Sequence, residues 1–217
     1  MNSLVFCVIF LLISCSGLQL PSSFKKCDRR RSDFNRCLSK AVYKAVKVLD
    51  KPLKLYGLPS LHDVAFPPDF FSEFGNSTYG LRQKYTNYRL IGLTKPQNIV
   101  ARLDFGPLTS TLIIEATYPK LDWEVELEAQ GTLVLLPLNV KTPLDFTFEN
   151  PTFTFTFELE EYEKGATYFR VIDSGLDMQA HGIKFDFKHL FSNRHLNKEF
   201  NSEMSAKGRQ ICILFKS

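Results

Sequence analysis

The feature that most constrains the fold is a long stretch, from residue 99 to residue 187, in which apolar and polar side chains alternate with a period of two. Successive side chains of a β-strand point to opposite faces of a sheet, so this alternation predicts strands that bury one face. Residues 121–129 are the clearest case, because five apolar residues alternate there with one Asp and three Glu. We therefore predict an antiparallel β-structure, with Glu124, Glu126 and Glu128 in a solvent-facing row.

Two of the predicted strands change face midway, one at Asn150-Pro151 and one at Gly182. Apolar residues stand at even positions before each of these points and at odd positions after it. Since one inserted residue moves every later side chain to the other face, each change predicts a β-bulge, and bulged strands twist and bend. The sequence thus favours a strongly curved antiparallel sheet, and two flat sheets packed as a sandwich are the alternative.

The composition indicates a folded protein with an unusually aromatic interior. The chain has 217 residues, of which 44% are hydrophobic and 23% are charged, and it contains 20 Phe but a single Trp. So many apolar rings require a wide core or a cavity for an apolar ligand, because apolar surface left in water costs about 25 cal/mol per Å². The net charge of +4 does not indicate a nucleic-acid partner.

An amphipathic helix is predicted ahead of the strands. Ser32 or Asp33 can cap its start, and apolar residues then recur at steps of three and four up to Leu49. Several lysines lie off the apolar face, which leaves two alternatives: a helix packed on its own domain, or a basic helix on a membrane surface. Six Pro and Gly residues between positions 51 and 75 predict irregular chain there, with short extended pieces.

The N-terminal residues predict a secreted protein. Residues 4–13 are too few to span a bilayer and fit a signal peptide over residues 1–17, cleaved after Gly17; a membrane anchor is the alternative. In an oxidising compartment Cys27 and Cys37 are close enough in sequence to form a disulfide, which leaves Cys212 over. Asn76 begins the glycosylation sequon Asn-Ser-Thr.

The sequence carries no recognisable catalytic or metal-binding motif. It has no G-x-S-x-G, H-E-x-x-H or C-x-x-C motif, no P-loop and no dinucleotide fingerprint. His181 and His189 are eight residues apart, which is not a metal-ligand spacing. We therefore predict a protein that is not an enzyme and needs no metal or cofactor. The basic run Arg29-Arg30-Arg31 either meets anionic headgroups or only keeps its loop soluble.

Several segments between residues 20 and 200 form a recognisable series. They are LPSSFKKC (20–27), DFNRCL (33–38), GLPSL (57–61), PP (67–68), NYRLIGL (87–93), FENP (148–151) and FKHLF (187–191). In this order and spacing they resemble the insect haemolymph juvenile hormone-binding protein family, also called the takeout family. The resemblance implies a tubular α+β fold, in which a strongly curved antiparallel sheet wraps a long helix and encloses an apolar tunnel. It also carries the family's paired cysteines over to Cys27 and Cys37, and it implies no catalytic residue.

The C-terminus departs from the family pattern, in which a long helix follows. Here the helix-like stretch 193–206 is followed by Gly208, a poor residue for a helix interior, and by an apolar stub at 211–215. We therefore expect a C-terminally truncated member: a signal peptide over 1–17, then a single takeout-like carrier domain over 18–217 that lacks most of the C-terminal helix. Loss of that helix is expected to weaken or open the cavity.

Together with the Phe-rich strands, the resemblance implies a secreted, monomeric, non-catalytic carrier of a small hydrophobic ligand: juvenile hormone, another terpenoid or a fatty acid-like lipid. The predicted ligand-binding residues are Leu38, Val42, Val46, Ile99, Leu103, Phe105, Ile114, Trp123, Val125, Leu127, Phe153, Phe155, Phe157, Phe169, Val171 and Met178. Two alternatives stay open. One is a lipid-surface binder of the bactericidal or lipid-transfer kind, which uses the helix lysines and the arginine run on a membrane surface. The other is a truncated paralogue that binds nothing.

Overall fold

The computed structural model describes residues 24–66, 70–75, 80–133, 136–163 and 167–208. In chain order its elements are α1 (Phe34–Val48), a 3-10 helix (Lys54–Tyr56), β1 (Asp63–Phe66), β2 (Phe70–Gly75), β3 (Gly80–Ile91), β4 (Asn98–Asp104), β5 (Thr109–Thr117), β6 (Lys120–Leu133), β7 (Leu136–Glu149), β8 (Thr152–Glu163), β9 (Thr167–Gln179), β10 (Gly182–Phe187) and α2 (Arg194–Ala206). The α+β class and the antiparallel strands predicted from the sequence are confirmed.

The chain folds into two compact units, each assembled from three stretches of sequence. The first unit comprises Met1–His62, Leu93–Pro119 and Pro151–Gln179. The second comprises Asp63–Gly92, Lys120–Asn150 and Ala180–Ser217. The first unit therefore holds α1, β4, β5, β8 and β9, and the second holds the other strands and α2. A single carrier domain over residues 18–217 stays a prediction.

The sheet of the first unit has four antiparallel strands in the order β4-β5-β8-β9. One row across it joins Ile99, Ala116, Phe153 and Met178. Side chains directly opposite each other lie on the same face of a sheet, so this row gathers four apolar side chains. Three of the four are buried, and they form part of the core of this unit.

The sheet of the second unit has the strand order β1-β3-β6-β7-β10, and β2 also pairs with β3. One row across it joins Leu90, Trp123, Phe146 and Phe185. The rows on either side are buried on the same face, so the core of this unit lies against that face.

The two face changes in the sequence are not β-bulges. Between Glu149 and Thr152, Asn150 takes a φ of 45° and the chain leaves the sheet of the second unit for that of the first. Ala180 and His181 lie at the opposite passage, between β9 and β10. The predicted bulges are wrong at both places, because a strand that enters a new sheet sets its apolar face anew. That change shifts the positions of apolar residues just as an inserted residue does.

Bulges are present in other strands. Between Thr86 and Arg89, β3 has one residue more than β6, and Asn87 takes a φ of 56°, a region that Asn tolerates. In β9, Ile172 is an extra residue that lies opposite no residue of β8. Since a bulge raises the local twist of its strand, both β3 and β9 are expected to twist more strongly at these points.

The stretch 51–75 is irregular only in its first part. The 3-10 helix and a bridge between Leu53 and Leu58 occupy that part, whereas β1 and β2 are both paired with β3. β1 and β2 are the short extended pieces that the sequence predicts, and the prolines stand beside these strands rather than inside them. Pro59 precedes β1, and Pro67-Pro68, which lie outside the described residues, separate β1 from β2.

Helix α1 begins where the sequence predicts, but without the predicted side-chain cap. Asp33 is the N-cap residue, and its carboxylate accepts a hydrogen bond from Arg31 Nε at 2.9 Å instead of capping the helix. The predicted disulfide joins Cys27 to Cys37, whose Cα atoms are 5.8 Å apart. It ties the first turn of α1 to the segment that precedes the helix.

Helix α1 also covers the edge strand of its sheet with polar side chains. The Ala101 N–H donates to Ser39 Oγ at 2.9 Å, and the Leu103 N–H donates to Asn35 Oδ1 at 3.0 Å. Residues 35 and 39 are one turn apart on the helix, and residues 101 and 103 point the same way from β4. Edge-strand donors that have no partner strand are thus satisfied by the helix.

Helix α2 does the same for β10. The Phe187 N–H donates to Asn201 Oδ1 at 3.0 Å, and Asn201 Nδ2 donates back to the Phe187 carbonyl at 3.1 Å. One turn later, the Phe185 N–H donates to Ser205 Oγ at 3.0 Å. The helix and the edge strand are therefore held together by hydrogen bonds at regular intervals.

The close contact with β10 continues at Gly208, just beyond α2. A Cβ at Gly208 would stand 2.1 Å from the carbonyl oxygen of Ile183, so the backbone of residue 208 lies directly on β10. From the sequence alone Gly208 is a poor helix residue. In the structure it permits a close approach that a side chain would block.

Candidate functional site

Nine of the predicted ligand-binding residues share one face of the first unit's sheet, which we call the apolar face of the first unit. The register of β4, β5, β8 and β9 sets this arrangement. The residues are Ile99, Leu103, Ile114, Phe153, Phe155, Phe157, Phe169, Val171 and Met178. The structure thus brings together side chains that are far apart in the sequence.

The bulge in β9 explains how odd and even positions reach this face. Met178 lies opposite Phe153, whereas Val171 lies opposite Leu159, and the extra residue between them is Ile172. Without that residue, Val171 and Phe169 would point to the other side of the sheet. The bulge was not predicted, but it is what makes the predicted set consistent.

The remaining predicted residues of the first unit lie on α1 and just after β4. Leu38, Val42 and Val46 of the helix are all half-buried. Phe105 has its ring centroid 5.9 Å from that of Phe34 and 6.5 Å from that of Phe169. Helix and sheet therefore meet through an aromatic cluster at one end of the apolar face.

The apolar face is not fully covered. Phe105 is 45% exposed, Phe169 is 38% exposed and Leu176 is 57% exposed. Leu176 is not among the predicted residues, although it lies opposite Phe155 on the same face. Its alternation with Met178 is visible in the sequence, and the register between β8 and β9 was the missing information.

Trp123, Val125 and Leu127 belong to the second unit, on the apolar face of β6. Val125 and Leu127 are buried, whereas Trp123 is half-buried. The Trp123 ring contacts those of Tyr88 and Phe148, with centroids 6.3 Å and 5.7 Å away. Its Nε1 atom is buried and has no hydrogen-bond partner among the described residues.

The opposite face of β6 carries the acidic row predicted to face solvent, and that prediction is confirmed. Glu124 pairs with Arg89 at 3.0 Å, and Lys141 reaches both Glu126 at 3.5 Å and Glu128 at 2.9 Å. The hydrogen bond to Glu128, more than any other contact, raises the pKa of Lys141. These carboxylates belong to an exposed ladder of ion pairs.

Each arginine of the basic run near the disulfide has a carboxylate partner. The pairs are Arg29–Glu161 at 3.2 Å, Arg30–Asp28 at 3.2 Å and Arg31–Asp33 at 2.9 Å. Paired in this way, the run presents little net positive charge. The lysines of α1 at positions 40, 44 and 47 are exposed, as predicted.

An open cleft of about 1010 Å³ lies in the second unit, between the start of β7, the segment after β10 and the first half of α2. Its lining mixes apolar side chains such as Leu138 and Leu196 with basic ones such as Arg194 and Lys198. None of the predicted ligand-binding residues lines this cleft.

Within the described ranges, no group of three or more His, Cys, Asp or Glu residues is placed to hold a metal ion. Among the helices that the structure describes, none combines the length and the hydropathy that a bilayer crossing requires. The predicted signal peptide at 1–17, the sequon residue Asn76 and Cys212 all lie outside the described residues.

A comparison of the sequence with protein-family models matches residues 5–213 to haemolymph juvenile hormone binding protein (JHBP). No curated protein is significantly similar to the chain in sequence.

Among solved structures, the chain is similar to Epiphyas postvittana Takeout 1, with a TM-score of 0.63 and 15% identity over 81% of this chain and 80% of that chain. A second match is to lipopolysaccharide binding protein, with a TM-score of 0.38 and 13% identity over 81% of this chain and 34% of that chain. The first match shows the takeout fold, an α+β fold of antiparallel sheets with two helices, which confirms the predicted fold class.

Proposed function

Because the chain belongs to the haemolymph juvenile hormone binding protein family, we propose that it is a secreted, non-catalytic carrier of a small hydrophobic ligand. Juvenile hormone, another terpenoid and a fatty acid-like lipid all belong to this class. The ligand is bound on the apolar face of the first unit, against the predicted residues that lie there. Residues 1–17 act as a signal peptide, Asn76 carries a glycan, and the carrier is a monomer.

The observation that carries this proposal is the incompletely covered apolar face of the first unit. The large apolar side chains of Phe105, Phe169 and Leu176 remain accessible on this face. Apolar surface removed from water contributes about 25 cal/mol per Å², so a hydrophobic guest is bound chiefly by burial against this face.

The disulfide supports the secretion part of the proposal. Cys27 and Cys37 are bonded, and such bonds persist mainly in oxidising compartments. Purification of the secreted protein, followed by native mass spectrometry and lipid extraction, tests the carrier function. We expect a co-purifying apolar molecule whose mass identifies the ligand class. A protein that carries none, and takes up none when hydrophobic probes are added, would contradict the proposal.

A matched pair of variants locates the binding surface. Leu176→Gln places a polar group on the apolar face, whereas Val100→Gln changes a residue that is 39% exposed on the opposite face of β4. We expect Leu176→Gln to weaken ligand binding by roughly three- to tenfold, which corresponds to the partial burial of one Leu side chain. Equal effects of the two variants would place the ligand elsewhere.

A lipid-surface binder is the second candidate, favoured by the exposed lysines of α1 at positions 40, 44 and 47. The pairing of Arg29, Arg30 and Arg31 with carboxylates removes the other half of its proposed basic surface. Co-sedimentation with anionic vesicles, lost in salt, would support this candidate. Binding neither to vesicles nor to hydrophobic probes would support a non-binding paralogue.

A further inference from the structure

The open cleft of the second unit is a feature that the proposed carrier function does not use. It has a volume of about 1010 Å³ and lies between the start of β7, the segment after β10 and the first half of α2. All of its lining residues belong to the second unit, whereas the apolar face proposed to bind the carried ligand belongs to the first. Sites for small ligands commonly have volumes of about 300–1,000 Å³, so the cleft is large enough to be one.

Hydrogen bonds between α2 and the segment after β10 hold the walls of the cleft in place. Asn197 Oδ1 accepts from the backbone N–H groups of Leu190 at 2.9 Å and of Phe191 at 3.2 Å. Asn197 Nδ2 donates to the Phe187 carbonyl at 2.6 Å, and Asn201 bonds to the backbone of Phe187 as well. Both asparagines line the cleft. The cleft is therefore built into the fold, and no side chain has to move to create it.

Arg194 and Lys198 give the cleft a positive charge that no carboxylate of the described residues neutralises. They lie one turn apart at the start of α2, both are exposed, and neither forms an ion pair within the described ranges. The first turn of α2 holds no acidic residue, and no Asp or Glu stands three or four positions from either cation. Asp186 is the carboxylate that lines the cleft, and it is paired with Lys188.

This arrangement of cations is electrostatically unfavourable as long as no anion is bound. Like charges at positions i and i+4 of a helix repel each other, and the N-terminus of a helix carries a partial positive charge that disfavours cations. Arg194 and Lys198 meet both conditions. An anion bound by both side chains removes the repulsion, and a guanidinium group can form two parallel hydrogen bonds with a carboxylate or phosphate. The charge of the cleft therefore favours a negatively charged group.

Apolar side chains border the two cations. Leu196 stands between them in the sequence of α2 and is 42% exposed, and Phe191 is half-buried. The buried side chains of Leu138 and Leu190 line the cleft too. A small inorganic anion leaves this apolar surface in water, whereas an aliphatic chain covers it and gains about 25 cal/mol per Å². The lining as a whole thus fits a molecule with an anionic end and an apolar chain.

We propose that the cleft of the second unit is a second binding site, which takes a single-chain amphiphile with an anionic headgroup, such as a fatty carboxylate. Arg194 and Lys198 bind the headgroup, and Leu196 and Phe191 contact the part of the chain next to it. The site uses none of the residues on the apolar face of the first unit. Its existence therefore does not depend on the proposed carrier function.

Three probes test the chemistry of the site in the full-length secreted protein. Laurate has a charged headgroup and a chain, dodecanol has the same chain without the charge, and butyrate has the charge with a short chain. The ¹H–¹⁵N amide cross peaks of residues 194–201 report on the cleft. We expect laurate, kept below its aggregation concentration, to shift them saturably and to bind about tenfold or more tightly than either other probe. Added salt is expected to weaken this binding.

A matched pair of double variants separates the cleft from the overall charge of the protein. Arg194→Gln with Lys198→Gln removes the cations of the cleft, and Lys40→Gln with Lys44→Gln removes two exposed cations at the same spacing on α1. We expect the first double variant to weaken laurate binding at the 194–201 amides by about tenfold or more, as for the loss of charge-assisted hydrogen bonds, and the second to leave it unchanged.

Thermal melting shows whether the two cations of the cleft serve the ligand or the fold. Without laurate, Arg194→Gln with Lys198→Gln is expected to melt no lower than the wild type, because these cations have no carboxylate partner to lose among the described residues. Laurate is expected to raise the melting temperature of the wild type more than that of this variant. A lower melting temperature of the variant without laurate would assign the cations to the fold.

Each outcome of the binding experiments decides one question. Laurate-selective shifts that are lost only in Arg194→Gln with Lys198→Gln support the second site. Dodecanol that binds as tightly as laurate, equal losses in both double variants, or unmoved 194–201 cross peaks would overturn it. A wild-type protein that takes up hydrophobic probes while these cross peaks stay unmoved loses the second site and keeps the carrier function.

Discussion

In both units a helix lies along an edge strand, and polar side chains one turn apart bond to the backbone of that strand. In the first unit, Asn35 and Ser39 accept from β4, and the helix start is also joined to the preceding segment by a disulfide. In the second, Asn201 and Ser205 bond to β10, and the series continues in the close approach of Gly208.

The difference lies in how much freedom each helix keeps. The link at the start of α1 is covalent but local, and Phe105, Phe169 and Leu176 remain accessible on the sheet of its unit. Along α2 the contact is made by hydrogen bonds, and just beyond it a steric contact is added, because a Cβ at Gly208 would stand 2.1 Å from the Ile183 carbonyl oxygen. The first unit therefore has apolar surface available to a guest molecule, while the helix of the second is fixed at a set distance from its sheet.

Removal of the disulfide is expected to have the largest effect on stability. Cys27→Ser with Cys37→Ser opens a short loop and is expected to lower the free energy of unfolding by about 2–3 kcal/mol, since the unfolded chain regains the entropy of that loop. Urea unfolding followed by circular dichroism measures the change. An unchanged midpoint would mean that α1 is held by its hydrogen bonds and packing alone.

A methyl group at Gly208 is expected to have the next largest effect. In Gly208→Ala the new Cβ meets the Ile183 carbonyl, so the helix or β10 must shift, and we expect a loss of about 1–3 kcal/mol in the free energy of unfolding. Gly175→Ala is the matched control, because a Cβ there meets nothing within 4 Å. Similar melting temperatures for the two variants would show that α2 is not sterically fixed.

The hydrogen bonds between helix and edge strand are expected to contribute less. Asn201→Ala leaves both the N–H and the carbonyl of Phe187 without this partner, and we expect a loss of about 1–2 kcal/mol. Ser39→Ala removes the acceptor of the Ala101 N–H and is expected to cost about 1 kcal/mol. Ser202→Ala, on the exposed side of α2, serves as control. A larger effect in Ser39→Ala than in Asn201→Ala would reverse the contrast between the helices.

The smallest expected effect is a difference in pH sensitivity. The Thr94 hydroxyl at 2.7 Å, followed by His62 at 2.9 Å, lowers the pKa of Asp50 just after α1. A lowered folded pKa gives a contribution that is present above the unfolded value of about 3.9 and lost as the pH falls through the folded pKa. Acid is therefore expected to weaken the first unit.

Lys188 gives the opposite dependence in the second unit. Hydrogen bonds to Asp145 and then Asp186 raise its pKa, so its contribution is present below the unfolded value of about 10.4 and is lost as the pH rises through the folded pKa. Melting temperatures across the pH range are expected to show a flatter acid limb in Asp50→Asn and a flatter alkaline limb in Lys188→Gln. Parallel profiles for both variants and the wild type would remove the distinction.

The sequence predicts the faces of individual strands well, because alternation is a local property. Ile99, Phe153 and Phe155 reach one face without any knowledge of partners. Sequence alternation does not distinguish a bulge from a passage between sheets, since both shift the positions of apolar residues. The alternation therefore predicts a bulge at Asn150, where the chain in fact passes from one sheet to the other. The true bulge at Ile172 is hidden because its neighbour Val171 is apolar too.

Features that depend on a tertiary neighbour were beyond prediction. The role of Gly208 requires the carbonyl of Ile183. Trp123 Nε1, which has no hydrogen-bond partner among the residues that the structure describes, becomes noticeable only once its surroundings are placed. Asp33 is a similar case. Its carboxylate can accept a hydrogen bond either from the helix backbone, as a cap, or from Arg31, and only the structure shows that it accepts from Arg31. The disulfide was predictable, because Cys27 and Cys37 are separated by only ten positions.

The division of the chain has a consequence for protein engineering. The polypeptide passes between the two units five times, so neither unit corresponds to one uninterrupted stretch of coding sequence. No single truncation or protease cut releases a complete unit. A chimera that exchanges one unit with that of a relative has to replace three separate segments at once.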